Sequence, residues 1–231
     1  MRRLRISALL LFLVSQGVVF NVRAQYLTPE AFKLTNLVPA PPEDNSPAGL
    51  ADMETMLRVQ DGRTPEQVER AKRVDTQSAF SFARPVLGDW FHSKDFPRTA
   101  AVFDAINREA GRIIDASKKQ WSRPRPYERS KEMTIVVGHP GNASYPSGHT
   151  AIAAVWAAVF SAAFPEDAVA FQKQVHEVMW CRVIGGVHFP SDTTAGEILG
   201  DAIGREILAG PEIKKAIQIL QGETAPYRKK E

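Results

Sequence analysis

Ser147-Gly148-His149-Thr150-Ala151-Ile152-Ala153-Ala154-Val155-Trp156-Ala157-Ala158-Val159-Phe160-Ser161-Ala162-Ala163-Phe164 reads as a helix that is apolar almost all round. A helix without a polar face belongs in the middle of a bundle, covered by other helices. The flanking sequence supplies the cover. From Pro97 to about Ser117, Val102, Ile106, Ala110, Ile113 and Ile114 recur at three-to-four spacing. Pro165-Glu166-Asp167 starts another helix, with Val169, Phe171, Val175, Val178 and Met179 leading to Gly185-Gly186. Pro190 starts the next, through Ile198, Ile203 and Ile207 to Gly210, and Pro211 a short last one with Ile213, Ile217 and Leu220. Upstream, Ser46-Pro47 opens a helix through Leu50, Met53, Met56 and Leu57. Thr64-Pro65-Glu66-Gln67 reads as a cap, a proline at the first helical position and a capping-box Gln. Alternating β-branched runs are nearly absent. The expected fold class is all-α, a single-domain helical bundle without repeats.

Ahead of the bundle, residues 1–24 read as a signal peptide. Arg2, Arg3 and Arg5 precede an apolar run from Ile6 through Phe20, and Val22-Arg23-Ala24 offers small residues before a cut at Gln25. The run is short for a membrane span, and no second long apolar stretch follows. Residues 25–46 read as an irregular proline-rich arm, with Pro39, Pro41 and Pro42, and 47–231 as the helical domain with a frayed tail at Arg228-Lys229-Lys230-Glu231. The full chain counts 29 basic and 26 acidic residues. Removing the leader takes away four arginines and no acid, leaving 25 against 26 and a charge of −1. That argues against a nucleic-acid partner held by bulk positive charge. Any anion site must be a local cluster. A single cysteine, Cys181, cannot form an internal disulfide.

Three segments place polar residues inside otherwise apolar, helical sequence. In Ser144-Tyr145-Pro146-Ser147-Gly148-His149-Thr150, a Pro-Ser-Gly-His turn opens the central helix. Its first N–H groups bind anions, and Gly148 lets backbone approach a ligand closely. In Cys181-Arg182 through Val187-His188-Phe189-Pro190-Ser191-Asp192, a carboxylate four residues past a histidine can reach a ring nitrogen and fix its tautomer. In Lys118 through Arg123-Pro124-Arg125-Pro126, Lys118 and Arg125 come from a helix end and the turn after it. Each segment alone also fits an ordinary role. Ser147 can be a plain N-cap and His149 a surface residue; Asp192 or Ser191 can cap a helix; Arg123 and Lys119 read as a solvated basic face.

Together the segments resemble the signature of the type-2 phosphatidic acid phosphatase superfamily. Lys118 with Arg125-Pro126, then Pro146-Ser147-Gly148-His149, then Arg182, His188 and Asp192, match its three parts in order and spacing. The likeness extends to the bacterial class A non-specific acid phosphatases, whose Gly-Ser-Tyr-Pro-Ser-Gly-His-Thr is met except for Ala143 in place of Gly. The resemblance implies the acid phosphatase/vanadium haloperoxidase type of bundle and a periplasmic phosphomonoesterase. His188 would attack phosphorus to form a phosphohistidine, Asp192 would orient it, and His149 would protonate the leaving alkoxide and then activate water. Lys118, Arg125, Arg182, Ser147 and Gly148 would bind the phosphate. No cofactor and no metal are implied; fixed cations neutralise the charge, and His92, His139 and His176 show no metal-ligand grouping. An acidic optimum is expected because His149 must carry a proton. Partners are small-molecule phosphomonoesters, with no nucleic acid and no membrane after signal cleavage; a homo-oligomer is compatible with the family.

Cys181 stands where the family has Ser. A small buried side chain is the expectation; the alternative is a thiolate activated by nearby cations. Three other functions share the cradle: a vanadium-dependent haloperoxidase-like oxidoreductase, against which the short chain argues; a membrane lipid phosphatase, against which the lack of spans argues; and a non-catalytic phosphate-binding protein, which would need the cations but neither the two histidines nor Asp192.

Overall fold

Helix α6 (Gly148–Ala163) sits at the centre of a computed structural model that describes residues 25–228. Around it lie α4 (Pro97–Trp121), α7 (Ala168–Ile184), α8 (Pro190–Ala209) and α9 (Ile213–Arg228). The described residues form helices and no strands, an all-α bundle. Ala151, Ala153, Ala154, Val155, Trp156, Val159 and Phe160 of α6 are all buried, as an all-round apolar helix requires. The closest pairing is with α8, where Gly196, Gly200 and Gly204 face α6. A Cβ on Gly196 would stand 2.5 Å from the carbonyl of Ser147, and one on Gly200 2.2 Å from that of Ala151. Small residues at four-residue spacing thus bring two backbones together and set the start of α6 beside the start of α8.

Three further helices close one side: α1 (Pro47–Gly62), α2 (Pro65–Asp75) and α3 (Ala79–Leu87). The Ser46 hydroxyl accepts from the N–H of Gly49, and Thr64 and Gln67 form the expected capping box. Helix α3 has no counterpart in the sequence reading. Ser81 rather than Glu or Gln completes its capping box with Ser78, and Pro85 interrupts its pattern. Helix α1 is phased differently from expectation: Gly49, Asp52 and Met56 are buried, while Leu50 is exposed.

The arm also departs from the irregular surface strand expected. Pro29–Asn36 forms a 3₁₀ helix, and Tyr26, Leu27, Ala31, Leu34 and Val38 are buried in the core. The N–H groups of Tyr26 and Leu27 donate to the Glu109 carboxylate on α4. Ala31 and Leu34 are three apart, the 3₁₀ repeat, so one edge of the arm is apolar. The last helix runs longer than expected, ending at Arg228, whose guanidinium pairs with Glu166 and Asp167 and lies over the Phe164 ring. No helix among the described residues is long and apolar enough to cross a membrane. The proposed signal peptide and the last three residues of the tail lie outside the described residues.

Candidate active site

Five chain segments meet at one end of the bundle: the end of α4, the turn after it, the loop leading into α6, the end of α7, and the start of α8. Helix α4 stops at Ser122, whose φ of 46° turns the chain left-handed, with its N–H still bound to the Lys118 carbonyl. Pro124 and Pro126 then hold the turn extended, and α5 (Pro126–Arg129) follows. Helix α7 is left through Gly186 at φ 80°, where a Cβ would stand 2.7 Å from the Thr134 carbonyl. Glycine is needed there to swing the chain toward His188.

Lys118, Arg125 and Arg182 are all buried, the last with no exposed surface. Lys118 Nζ donates to the carbonyl of Ala143 at 2.7 Å. The Ala143 side chain is therefore incidental, because the contact is made by backbone. Arg125 donates to the Val187 carbonyl at 2.6 Å and to the Asn142 side-chain oxygen at 2.7 Å. Arg182 Nη1 pairs with Asp75 at 2.6 Å, while its Nε and Nη2 are buried without a partner. Three cations are thus buried within electrostatic reach of one another, and two of them rest on neutral carbonyls. Burial, then the neighbouring Arg125, pulls Lys118 down to about 7.

His188 is buried beside them. Its Nδ1 lies 3.4 Å from Asp192 Oδ2, and its Nε2 3.2 Å from Arg125 Nη1. A guanidinium only donates, so Nε2 holds the lone pair and Nδ1 carries the hydrogen toward the carboxylate. Burial first, then Lys118, Arg125 and Arg182, push His188 well below the ordinary histidine value, keeping the ring neutral. Asp192 Oδ2 also accepts from the Ser144 hydroxyl at 2.5 Å and the Phe189 N–H at 2.8 Å. Burial lifts this carboxyl above the ordinary aspartate value, against the pull of Arg123 and these donors.

Arg123 is not on the solvated face that the basic run suggested. It is buried, with Nη1 2.6 Å from Asp192 Oδ1 and Nη2 2.9 Å from Asp52 Oδ2. Two buried carboxylates draw it inward, and its aliphatic stem and planar head fit under the chain where Lys119 stays exposed. Asp52 and Asp75 were also missed. Asp52 had a faint signal, standing four residues before Met56 on the same helix face. Asp75, the last residue of α2, had none.

His149 stands on the Asp75 side of the site, with Nε2 3.1 Å from the Asp75 carbonyl oxygen. That acceptor fixes the Nε2–H tautomer of the neutral ring. Burial, then Arg182, takes His149 down to about 4. Burial pushes the Asp75 carboxyl up, but Arg182 and the Gly138 N–H hold it below the usual carboxylate range. Ser147 caps α6, its hydroxyl accepting from the Thr150 N–H and hydroxyl at 3.4 and 3.0 Å. Its own N–H is spent on the Asp192 carbonyl at 2.9 Å, so Ser147 does not offer the backbone donor expected of it. The helix-start donors left are the N–H groups of Gly148 and His149. A Cβ on Gly148 would touch Lys118 Cε at 3.4 Å. Cys181 is buried, its thiol set toward Glu177 at 3.7 Å and pushed up to about 12 by burial first and Glu177 second. It is a packed thiol, not an activated thiolate. His139 and His176 stand apart, the first against the Tyr127 ring, the second 3.3 Å from Glu197.

The family model described as the PAP2 superfamily matches residues 106–212. The non-specific acid phosphatase of Salmonella typhimurium is 28% identical over 194 residues, 80% of this chain and 78% of that protein. That of Providencia stuartii is 29% identical over 201 residues, 84% and 81% of the two chains. Among solved structures, the fold is similar to a transmembrane PAP2-type phosphatidylglycerolphosphate phosphatase from Bacillus subtilis, with a TM-score of 0.55, 18% identity, and coverage of 78% of this chain and 91% of that one.

Proposed function

We propose, from the premise that this chain belongs to the PAP2 superfamily and is an acid phosphatase, that it hydrolyses phosphomonoesters through a phosphohistidine on His188 without a metal ion. One observation carries the reading. The Nε and Nη2 of the fully buried Arg182 have no partner, and Arg182, Lys118 and Arg125 all bear on the buried His188. Buried charged donors without acceptors are costly, and a tetrahedral dianion is a ligand that satisfies them.

The phosphate oxygens take the N–H groups of Arg182, Arg125 and Lys118 and the first N–H groups of α6. When an oxygen takes the Arg125 donor, the Nε2 lone pair of His188 is freed to attack phosphorus. The ester P–O bond breaks, and His149 gives its proton to the leaving oxygen. Its Nε2–H is held by Asp75, so Nδ1 is the nitrogen for that transfer. Water then attacks phosphorus with His149 as base, the P–N bond breaks, and phosphate leaves. His149 titrates near 4 in the empty cavity, so the arriving dianion must raise its proton affinity. Activity falls as pH rises beyond about 7, as Lys118 loses its charge and His149 its proton; a rate still climbing above pH 8 contradicts the assignment.

No three His, Cys, Asp or Glu side chains among the described residues are grouped to hold a metal ion. Export to the periplasm with removal of residues 1–24 belongs to the same proposal, and the mass of the secreted protein tests it. The main test is hydrolysis of p-nitrophenyl phosphate in EDTA by the native protein and by His188→Ala. EDTA-resistant turnover, an acid-labile phosphoprotein on rapid quench, and loss of both in the variant are expected. Full activity in His188→Ala removes the nucleophile.

A further inference from the structure

We propose that Arg123, clamped by Asp52, is a positioning residue that fixes the Asp192 carboxylate where it steers the His188 ring. The proposal rests on the reading of His188 as the nucleophile. Arg123 is itself held through both Nη groups, while its Nε is buried without a partner. Nη1 donates to Asp192 Oδ1 at 2.6 Å and to the Ser191 hydroxyl at 2.8 Å, and Nη2 donates to Asp52 at 2.9 Å. Its guanidinium plane covers the Phe189 ring, 4.2 Å from the centroid. The Ser191 hydroxyl in turn donates to Asp52 Oδ2, and the Ser191 N–H to Asp52 Oδ1 at 3.2 Å. Asp52 therefore fastens both Arg123 and the first turn of α8, the turn that carries Asp192.

The two oxygens of Asp192 have separate tasks. Oδ2 faces His188 Nδ1 and takes the Ser144 and Phe189 donors, whereas Oδ1 takes only Arg123. With Arg123 gone, Oδ1 is a buried acceptor without a donor, and the carboxyl must rotate or take up a proton. Either change deprives the Nδ1–H of its anionic acceptor. The tautomer that leaves a lone pair on Nε2 is then no longer enforced. Arg123 spends its Nη donors on carboxylates and a hydroxyl, so its loss acts on the turnover step rather than on phosphate binding. A lysine has one charged nitrogen and cannot span both carboxylates from the plane over Phe189. Asp52 lies on α1, outside residues 106–212, so the N-terminal helices contribute to the chemistry from beyond the stretch that matches the family model.

The test is steady-state hydrolysis of p-nitrophenyl phosphate, with inhibition by inorganic phosphate, for Arg123→Met, Arg123→Lys, Asp52→Asn and the Arg123→Met/Asp52→Asn pair. His188→Ala runs in the same assay, and folding is checked by circular dichroism. Arg123→Met is expected to lower kcat on the order of 10–100-fold, the scale for loss of a partner that orients a functional histidine, with KM and phosphate inhibition within about twofold. Its kcat should also gain a rise with pH in the acid range that the native enzyme lacks, because Asp192 now takes a proton. Arg123→Lys should recover part of the rate, Asp52→Asn should lose less, and the pair should be no worse than Arg123→Met. A folded Arg123→Met with native kcat overturns the proposal, as does a loss of phosphate affinity matching the loss of kcat. If Arg123→Met does not fold, Asp52→Asn decides, and native kcat there overturns it. Full activity in His188→Ala is the separate result that removes the underlying reading; an inactive His188→Ala beside a fully active Arg123→Met sinks the positioning role alone.

Discussion

His188 faces a carboxylate that is held by Arg123, the Ser144 hydroxyl and the Phe189 N–H, all of it buried. His149, a few residues into α6, has one hydrogen bond, to a backbone carbonyl, and its neighbour Asp75 keeps 19% of its side chain in solvent. The difference suits the two proposed tasks. A nucleophile must be aimed, and its ring is fixed by charges that have nowhere else to go. An acid that becomes a base must change protonation within each cycle. Its proton affinity can follow the charge in the cavity only if no carboxylate grips it.

Stability should show the contrast most strongly. Asp192→Ala leaves Arg123 half-paired in the core, and breaking a buried pair costs about 3–5 kcal/mol. Asp75→Ala takes from the buried Arg182 its one charged partner, but the 19% of the Asp75 side chain already in solvent lets water replace it, so the loss should fall below that of Asp192→Ala. Urea unfolding of the two variants measures both. Equal losses would mean that the flanks are equally rigid.

The next effect concerns pH. His149 binds its proton near 4 when folded and near the ordinary histidine value when unfolded. Between those values the unfolded chain holds more protons, so acidification destabilises the empty protein, by about 3 kcal/mol at most across that window. Lys118, near 7 folded and near 10.5 unfolded, adds the same sign from pH 10.5 down to 7. Inorganic phosphate should reverse both by restoring the protons. Thermal unfolding between pH 4 and 7 should become flatter with phosphate, and calorimetry at about pH 8, where free phosphate is already the dianion, in buffers of different ionisation heat should show proton uptake by the protein on binding. His149→Gln should flatten the phosphate-free profile. An unchanged slope in that variant would place the acid sensitivity on the other flank.

Smaller still is the seam that joins the flanks. Gly196→Ala sets a Cβ against the Ser147 carbonyl, 2.5 Å away on the present backbone, and overpacking of this kind costs about 1–3 kcal/mol. It pries at the Ser147 N–H to Asp192 carbonyl bond, so kcat should fall with stability. A stability loss with native kcat would show that the flanks are set independently.

The central helix, most of its cover, and the eight residues of the proposed cradle were readable because each left a local mark: an apolar run, a proline start, a histidine four residues before an aspartate. Their convergence at one cavity follows from those helices packing as a bundle. What was not readable was what holds them. Arg123 looks like any basic residue beside Lys119 until two carboxylates from α1 and α8 are seen on it. Asp75 closes a helix with nothing nearby in sequence to tie it to Arg182, 107 residues on. Ser147 carries a motif that marks its turn, yet the motif does not reveal that its N–H serves α8. Pairings across long sequence separations leave no periodic trace, and the arm was misread for the same reason, its buried edge being defined by α4 and α8.

The smallest effect belongs to Cys181, beside Arg182 on the His149 flank. Its thiol is buried and pushed up to about 12, so Cys181→Ser should change kcat less than about twofold and stability by no more than about 1 kcal/mol. The native thiol is more useful as a probe. Iodoacetamide should not modify it while the fold is closed, so any slow labelling reports the opening that exposes it. If the flank around Asp75 and Arg182 is the looser one, the opening free energy from labelling should lie below the global unfolding free energy from urea. Phosphate, by filling the unpartnered donors of Arg182, should then slow labelling by more than its effect on global unfolding alone requires. If labelling instead tracks global unfolding with and without phosphate, this flank opens only with the whole bundle. The single hydrogen bond on His149 would then reflect chemistry alone, with no softness in the fold around it.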